Sequence, residues 1–366
     1  MAIQRQGNRI VFNGAYGIGD LHRPLACLHQ AISEAGYSDV IFDFEQCTAA
    51  FAGPMLALCA QSMKLRSMGI DAELILPAEP ALQRLFHNAS WAHFLEPEKH
   101  PASRFRGHTQ VPATQFQSPD DQNRAVNRIV NAILGAIQDI DRRDFAALEW
   151  AIHELTDNVI VHSNSAIGGL VQVSTFQRNQ KRVEFIVADA GMGIPATLRE
   201  GHPEITSDVD ALDHAIREGV TRDSTLGQGN GLFGSYQICS HSGGMFQVES
   251  AHGKLVYTPA RGLGISNERV PYDGTLVVAQ IDFSVPHLLE EALKFAGKKH
   301  SPSDYVETRY ERYDSDNLIV MMRDESSSFG SRIAGTPVRN RLANLVQMCP
   351  GQRIFVDFDG IPLISS

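Results

Sequence analysis

Glu154-Leu-Thr-Asp-Asn158, Asp189-Ala-Gly-Met-Gly193 and Gly227-Gln-Gly-Asn-Gly231-Leu232 are the three stretches whose joint reading decides the fold. The first lies in a segment, Phe145 to about Ser163, where Leu148, Ile152, Leu155 and Val159 recur at helical spacing and predict an amphipathic helix. Glu154, Asn158 and His162 fall at i, i+4 and i+8, so they share a different face of it. The second stretch closes a predicted strand, Val183 to Asp189. In the third, glycines precede the apolar run Leu232, Phe233, Tyr236 and Ile238, which predicts a mobile loop feeding a helix N-terminus.

Each piece suits a definite chemistry. A carboxamide oxygen can bind hard Mg²⁺, which takes few protein ligands and lets phosphates complete its shell, so Asn158 alone suffices. Glu154, one turn away, can orient a water or hydroxyl. Asp189 at a strand end can accept a hydrogen bond from an exocyclic amine such as that of adenine, while Gly191 and Gly193 let the backbone approach the base. A helix N-terminus offers unpaired N–H groups and a favourable dipole to phosphate. Taken singly, each piece also has an ordinary explanation: a solvated helix face, or a common Asp-Gly turn. Their order and spacing are more specific than any one part. No Gly-x-x-x-x-Gly-Lys-Ser/Thr occurs, which excludes a P-loop.

Glu154-x-x-x-Asn158, Asp189-x-Gly191-x-Gly193 and Gly227-x-Gly229-x-Gly231 together resemble the N, G1 and G2 boxes of the GHKL ATPase superfamily. That group includes DNA gyrase, mismatch-repair MutL, the large heat-shock chaperones, sensor histidine kinases and anti-sigma-factor serine kinases. The resemblance covers 118–286 and implies a two-layer α/β sandwich with a mixed sheet, with ATP and Mg²⁺ held between helices and a lid. It assigns Mg²⁺ to Asn158, the adenine contact to Asp189, backbone phosphate contacts to Gly229 and Gly231, and the general base to Glu154, with Gly227 and Leu232 also among the nucleotide-binding residues. Thr275, opening the predicted strand Thr275 to Phe283, resembles the family's late Gly-Thr strand and is expected to support adenine. Arg222 in the lid is the candidate positive charge for phosphoryl transfer. Val161 replaces a lysine frequent in sensor histidine kinases, and 120–143 contains no His, so a histidine kinase is disfavoured. The N box looks closer to anti-sigma kinases and MutL-like ATPases.

The flanks alternate strands and helices. Asn8–Phe12, Asp39–Phe44 and Ala72–Leu76 read as strands, and Leu21–Ala35, Gly53–Met68 and Glu79–Asn88 as helices, which argues for a small α/β unit. Over 1–97 it resembles a STAS domain, the fold of anti-sigma-factor antagonists. Phe51 and Ala52 stand where those antagonists carry an Asp-Ser pair, so a docking role is expected rather than a phosphoswitch, with Thr48 a weaker acceptor. Near the other end, Gln352-Arg-Ile-Phe-Val-Asp-Phe358 echoes Val40-Ile-Phe-Asp-Phe44 and suggests a second STAS-like module over 301–366, incomplete at its C-terminus. Its position makes Ser366 the candidate phosphoacceptor, with a frayed chain end as the plain alternative. The stretches 98–117, rich in Pro, Gln, Ser and Thr, and 287–300 read as linkers.

Composition sets the outer bounds. A chain of 366 residues suits two or three domains. Net charge of −10 and a pI near 5.8 argue against broad nucleic-acid or anionic-membrane binding. No apolar run approaches the ~20 residues of a membrane span, and Met1 to Asp20 lacks a signal-peptide pattern. Five scattered cysteines without CxxC spacing read as reduced thiols of a cytoplasmic protein. The expected roles are an ATPase or protein-serine kinase that docks a protein partner through its STAS-like units, or a nucleotide sensor without chemistry. Homodimerisation is what the family resemblance implies.

Overall fold

The computed structural model describes residues 2–104, 110–176, 181–221, 229–284, 287–295, 297–302, 304–312, 315–326 and 332–361. The chain opens with β1 (Ala2–Gln6), β2 (Arg9–Tyr16), α1 (His22–His29), β3 (Asp39–Asp43), β4 (Cys47–Ala50), α2 (Ala52–Ser67), β5 (Asp71–Ile75), α3 (Pro80–Asn88) and α4 (Trp91–Leu95). β1 is antiparallel to β2, and β2, β3 and β5 run parallel, with β4 beside the far end of β2. The predicted elements fall within a few residues of those observed. The long first helix ends in a π-helical turn, Gln30–Glu34.

The central unit comprises β6 (Gln110–Phe116), α5 (Pro119–Ala136), α6 (Arg142–His162), β7 (Gly169–Phe176), β8 (Arg182–Asp189), α7 (Gly193–Gly201), α8 (Asp208–Ala215), α9 (Gly231–His241), β9 (Met245–Thr258) and β10 (Gly262–Asp282). Its sheet has the order β6-β7-β8-β10-β9. The expected α/β sandwich is present, but the expected mixed sheet is antiparallel at every described pairing. Connectivity explains this. Short connections join β7 to β8 and β9 to β10, and the antiparallel helix pair α5–α6 returns the chain to the end of the sheet it left.

Both faces of this sheet are covered. Along β8, Val183, Phe185 and Val187 join the core under α5, α6 and α9, while Ile186 and Ala188 join the core of the N-terminal unit. The covering element is α2, buried continuously from Ala52 to Ser62 because it lies between its own sheet and the central one. A helix apolar on all sides requires such a two-sided environment. Its small residues permit close approach: a Cβ on Gly53 would lie 3.2 Å from Val278. Polar pins flank the apolar contact. Trp91 Nε1 donates to Gln172 Oε1 at 2.8 Å, Gln61 donates to the Asp273 carbonyl at 2.7 Å, and His22 Nε2 meets buried Glu249 at 2.5 Å.

Two stretches read as linkers are structural. Within 98–117, β6 forms the edge of the central sheet and buries Val111, Ala113 and Phe116. Pro112 is tolerated there because the pairing with β7 shifts register between Val111 and Thr114, so no ladder N–H is needed. Within 287–300, α10 (Leu288–Ala292) is followed by a hairpin of β11 (Lys294–Phe295) and β12 (Lys298–Lys299). Leu289, Ala292 and Leu293 bury against the central core.

The chain continues through α11 (Tyr305–Tyr310), β13 (Glu311–Arg312), β14 (Ser315–Met321), α12 (Met322–Glu325), α13 (Arg332–Met348) and β15 (Arg353–Asp357). β13 is antiparallel to β14 and β14 parallel to β15, the same pairing pattern as β1, β2 and β3. This unit is pinned to the helix layer. Arg142 at the start of α6 bridges Asp304 at 2.7 Å and Glu311 at 2.8 Å, and Glu149 accepts from Tyr305 N at 2.7 Å. Asn344 on α13 donates to the Leu134 and Ile137 carbonyls, capping the C-terminal end of α5. All five cysteines are buried and free, and no helix among the described residues is long and apolar enough to cross a membrane.

Candidate functional site

Helix α6 starts at Asp141, whose carboxylate caps the first turn by accepting from Arg143 N at 2.9 Å. From there Trp150, Glu154, Asn158 and His162, four residues apart, line one cavity of about 380 Å³. Asp189, Gly193 and Thr275 face them from the sheet side, and Gly229, Gly231 and Leu232 from the start of α9. Nine of the residues singled out in the sequence (Glu154, Asn158, His162, Asp189, Gly193, Gly229, Gly231, Leu232 and Thr275) therefore surround a single space. Gly191 is not among the lining residues. Arg222, Gly227 and Ser366 lie outside the described residues.

The Asp189 end is fixed by backbone packing. Asp189 is 2% exposed, and its Oδ1 accepts from Gly191 N at 2.8 Å while Thr275 N–H also donates to the carboxylate. Burial pushes this carboxyl up to about 7 despite those two donors. Gly191 serves the turn behind the cavity: a Cβ there would lie 2.0 Å from the Ser163 carbonyl oxygen, which accepts from Met192 N at 2.7 Å. Gly193 takes φ +77° and packs against Ser250 and the Gly274 carbonyl. Gly274, at φ +108°, lets β10 approach the Asp189 backbone, where a Cβ would meet the carbonyl oxygen at 2.3 Å.

At the opposite end, α9 begins at Gly231 with no side-chain cap from Asn230, which leaves its first N–H groups available to a ligand. A Cβ on Gly231 would lie 2.5 Å from Glu154 Oε2 and 3.2 Å from its Cβ, so a side chain there would push the carboxylate from its place beside the start of this helix. Burial, with a smaller contribution from Asp157, raises Glu154 to about 6. The Asn230 side chain accepts from Gly219 N at 3.1 Å, and Gly229, at φ +69°, packs on Val220. Both sides of the Gly-rich segment are thereby anchored next to each other.

Several lining residues were not singled out by the sequence reading. Trp150 continues the i, i+4 series of α6 one turn earlier, and that spacing could have found it. Thr197 lines the cavity and donates to the Gly193 carbonyl at 2.9 Å. Ser250 is fully buried behind the turn, where its hydroxyl accepts from Ile194 N and donates to the Gly274 carbonyl. Phe295 and His300 reach the cavity from the β11–β12 hairpin. Nothing local in sequence marks these last residues.

Residues 143–285 match the family described as histidine kinase-, DNA gyrase B- and HSP90-like ATPases. The match supports an ATPase domain of this type at residues 143–285, and the family implies ATP binding with ATPase or kinase-type activity. No curated protein matches the chain. Domains of this family bind ATP, usually with Mg²⁺, and the site fits both. Asn158 is half-buried on the cavity wall and its amide takes no hydrogen bond among the described residues, as a metal-ligating carboxamide would require. The buried acceptor at Asp189 suits an exocyclic amine.

Asp189 also makes a signed expectation about pH. Its folded carboxyl is raised above the ordinary ~3.9, so the folded state holds the proton more tightly than the unfolded one. The associated stability is fully present below about pH 4 and is lost as pH rises through about 7. Melting curves of wild type and Asp189→Asn between pH 5 and 8 should show wild type losing ground to the variant as pH rises. A constant difference would contradict the raised value. The variant should also bind ATP ~10-fold or more weakly, the cost of losing a charged acceptor.

Proposed function

We propose that the protein is a Mg-ATP-dependent switch that hydrolyses ATP and transmits the closure of its Gly-rich segment to the units on either side. The observation that carries this reading is one face of α6, with Glu154 and Asn158 a turn apart, set across a cavity from the buried acceptor Asp189. With adenine at Asp189, the phosphates lie toward Asn158 and the N-terminus of α9. Asn158 would hold Mg²⁺, which neutralises phosphate charge. The α9 N–H groups take phosphate oxygens, and Glu154 accepts a proton from the attacking water. With an apo value near 6, Glu154 is mostly ionised at neutral pH and still close to the operating range of a general base. Phosphoryl transfer depends mainly on positioning and charge neutralisation, so this set suffices for slow turnover.

Coupling is supported by the contacts of the same elements. Arg142 and Glu149 on α6 hold the C-terminal unit, and β8 and β10 bear α2 on their outer face. The STAS-like reading of the N-terminal unit is supported by its parallel strands β2, β3 and β5 with intervening helices. At its acceptor position Ala52 is buried while Phe51 is 57% exposed, which favours partner docking without phosphorylation there.

ATP labelled on its γ-phosphate separates the possible outcomes, with wild type compared with Asn158→Ala. Mg-dependent release of free phosphate by wild type, reduced ~100-fold or more in Asn158→Ala, is expected where charge neutralisation dominates the step. Label transferred to a protein serine would establish a kinase instead. Nucleotide binding with no product at any Mg²⁺ concentration would contradict the hydrolytic switch and leave a sensor.

A further inference from the structure

One short segment of β10 holds Asp189 in place. The β8–β10 ladder ends at Ala188 opposite Leu276, one residue before the acceptor, and β10 shifts register against β9 on both sides of Tyr272. Such an irregularity re-aims a side chain. The Tyr272 ring is fully buried, and its hydroxyl donates to the Asp189 carbonyl at 3.0 Å. Gly274 packs on the same carbonyl, and Thr275 N–H donates to the Asp189 carboxylate. Residues 272–275 therefore fix both the main chain and the side chain of the acceptor.

The N-terminal unit grips the same segment. Gln61 on α2 donates to the Asp273 carbonyl at 2.7 Å, and its side chain also hydrogen-bonds the Tyr272 hydroxyl. Lys64, one turn on, pairs with the Asp273 carboxylate at 3.0 Å. His22 at the start of α1 donates from Nδ1 to the Val270 carbonyl at 2.8 Å. Tyr272 and Ala190 pack in the core of the N-terminal unit. Gln61 is 7% exposed, too little for water to replace its bonds, so losing them leaves buried groups unpaired. A run of hydrogen bonds thus passes from α2 through Tyr272 to Asp189.

We infer that the N-terminal unit is part of the adenine site, with Gln61 and Tyr272 as positioning residues that hold Asp189 for the exocyclic amine of the base. This rests on the Mg-ATP reading above and deepens it: the phosphate end belongs to α6 and α9, and the base end answers to α2. Regulation follows by linkage. A partner that binds the N-terminal unit and shifts α2 changes the affinity for adenine, and adenine changes the affinity for that partner by the same factor. The exposed Phe51 stands at the N-cap of α2, on the same helix as Gln61 and about 15 Å along it.

The test compares the affinity of the full chain for Mg-ATP and for the Mg complex of purine riboside triphosphate, which is ATP without the exocyclic amine. Wild type, Tyr272→Phe and Gln61→Met are titrated below their melting transitions. Both replacements keep most of the buried volume, and affinity is read on the folded fraction. Wild type should prefer ATP about tenfold or more, the worth of a hydrogen bond to a charged acceptor. Each variant should weaken ATP about fivefold and leave the amine-free analogue within about twofold, since only the amine contact depends on where Asp189 sits. Equal weakening of both ligands would give Gln61 and Tyr272 a structural role alone and overturn the inference, as would a preference for ATP unchanged in both variants. A wild type that binds the two ligands equally removes the base from Asp189, and one that binds neither removes the Mg-ATP reading. Both outcomes differ from a wild type whose preference survives in the variants.

Discussion

Glu154→Gln should bind Mg-ATP within a few-fold of wild type and hydrolyse it ~10²–10⁴-fold more slowly, the range for loss of a general base. Glutamine is the informative replacement because Gly231 lies against the Glu154 side chain. A truncation would leave a gap beneath the start of α9 and confuse packing with chemistry, whereas Gln keeps the shape and removes the base. The pH dependence gives a second reading of the same group. Burial raises the Glu154 carboxyl from the ordinary ~4.3 to about 6. A base must be ionised, so wild-type turnover should fall about tenfold per pH unit on the acid side, with the midpoint at or above 6 because bound phosphates add negative charge. Glu154→Gln should lack this limb. Steady-state phosphate release from pH 5 to 8 checks both points, and a variant retaining wild-type turnover would remove Glu154 from the chemistry.

Gly191→Ala should be the most damaging single methyl group among the site residues. Its φ is not in the left-handed region, so backbone strain is not the reason. The added carbon would lie 2.0 Å from the Ser163 carbonyl oxygen and 2.8 Å from its carbon, both main-chain atoms with no rotamer to change. Relief requires moving the end of α6 away from the turn, which breaks the Met192 N to Ser163 O bond and dislodges the acceptor pair at Asp189. The expected cost is ~3–5 kcal/mol, the upper range for point substitutions, with nucleotide binding lost. Gly36→Ala is the matched control: φ is +73° with nothing within 4 Å of the added carbon. It should cost only ~1–2 kcal/mol from backbone conformation. Denaturant melts of the two variants decide this, and equal destabilisation would contradict the steric account.

Much of the site was legible in sequence because its signals are local. The i, i+4 series on α6, the acid after an apolar strand, and glycines before an apolar helix are each set by neighbours in the chain. The two-sided burial of the central sheet was partly visible. Ala52 to Ser62 has no polar face, and Val183 to Ala188 reads apolar almost throughout, as covered strands do. The position of β6 was hidden by Pro112 and its polar surroundings, since an edge strand with a register shift tolerates both. Phe295, His300 and Ser250 could not be found because they reach the site through tertiary approach of a late hairpin and the β9–β10 strands. The role of Gly191 was misplaced for a related reason: sequence marks a tight approach but not what approaches, here Ser163 rather than a base.

The central claim is that the α6–β8 cavity binds adenine nucleotide with the base at Asp189. The chain has two tryptophans, and of these Trp150 lines the cavity while Trp91 is buried in the N-terminal core. Tryptophan emission during titration with Mg-ATP and Mg-GTP, paired with calorimetry, therefore reports the site directly. A saturable response to ATP with much weaker response to GTP is expected, because guanine would present a carbonyl oxygen where Asp189 accepts an amine. No saturable signal and no binding heat with ATP, or equal binding of GTP, would contradict the account.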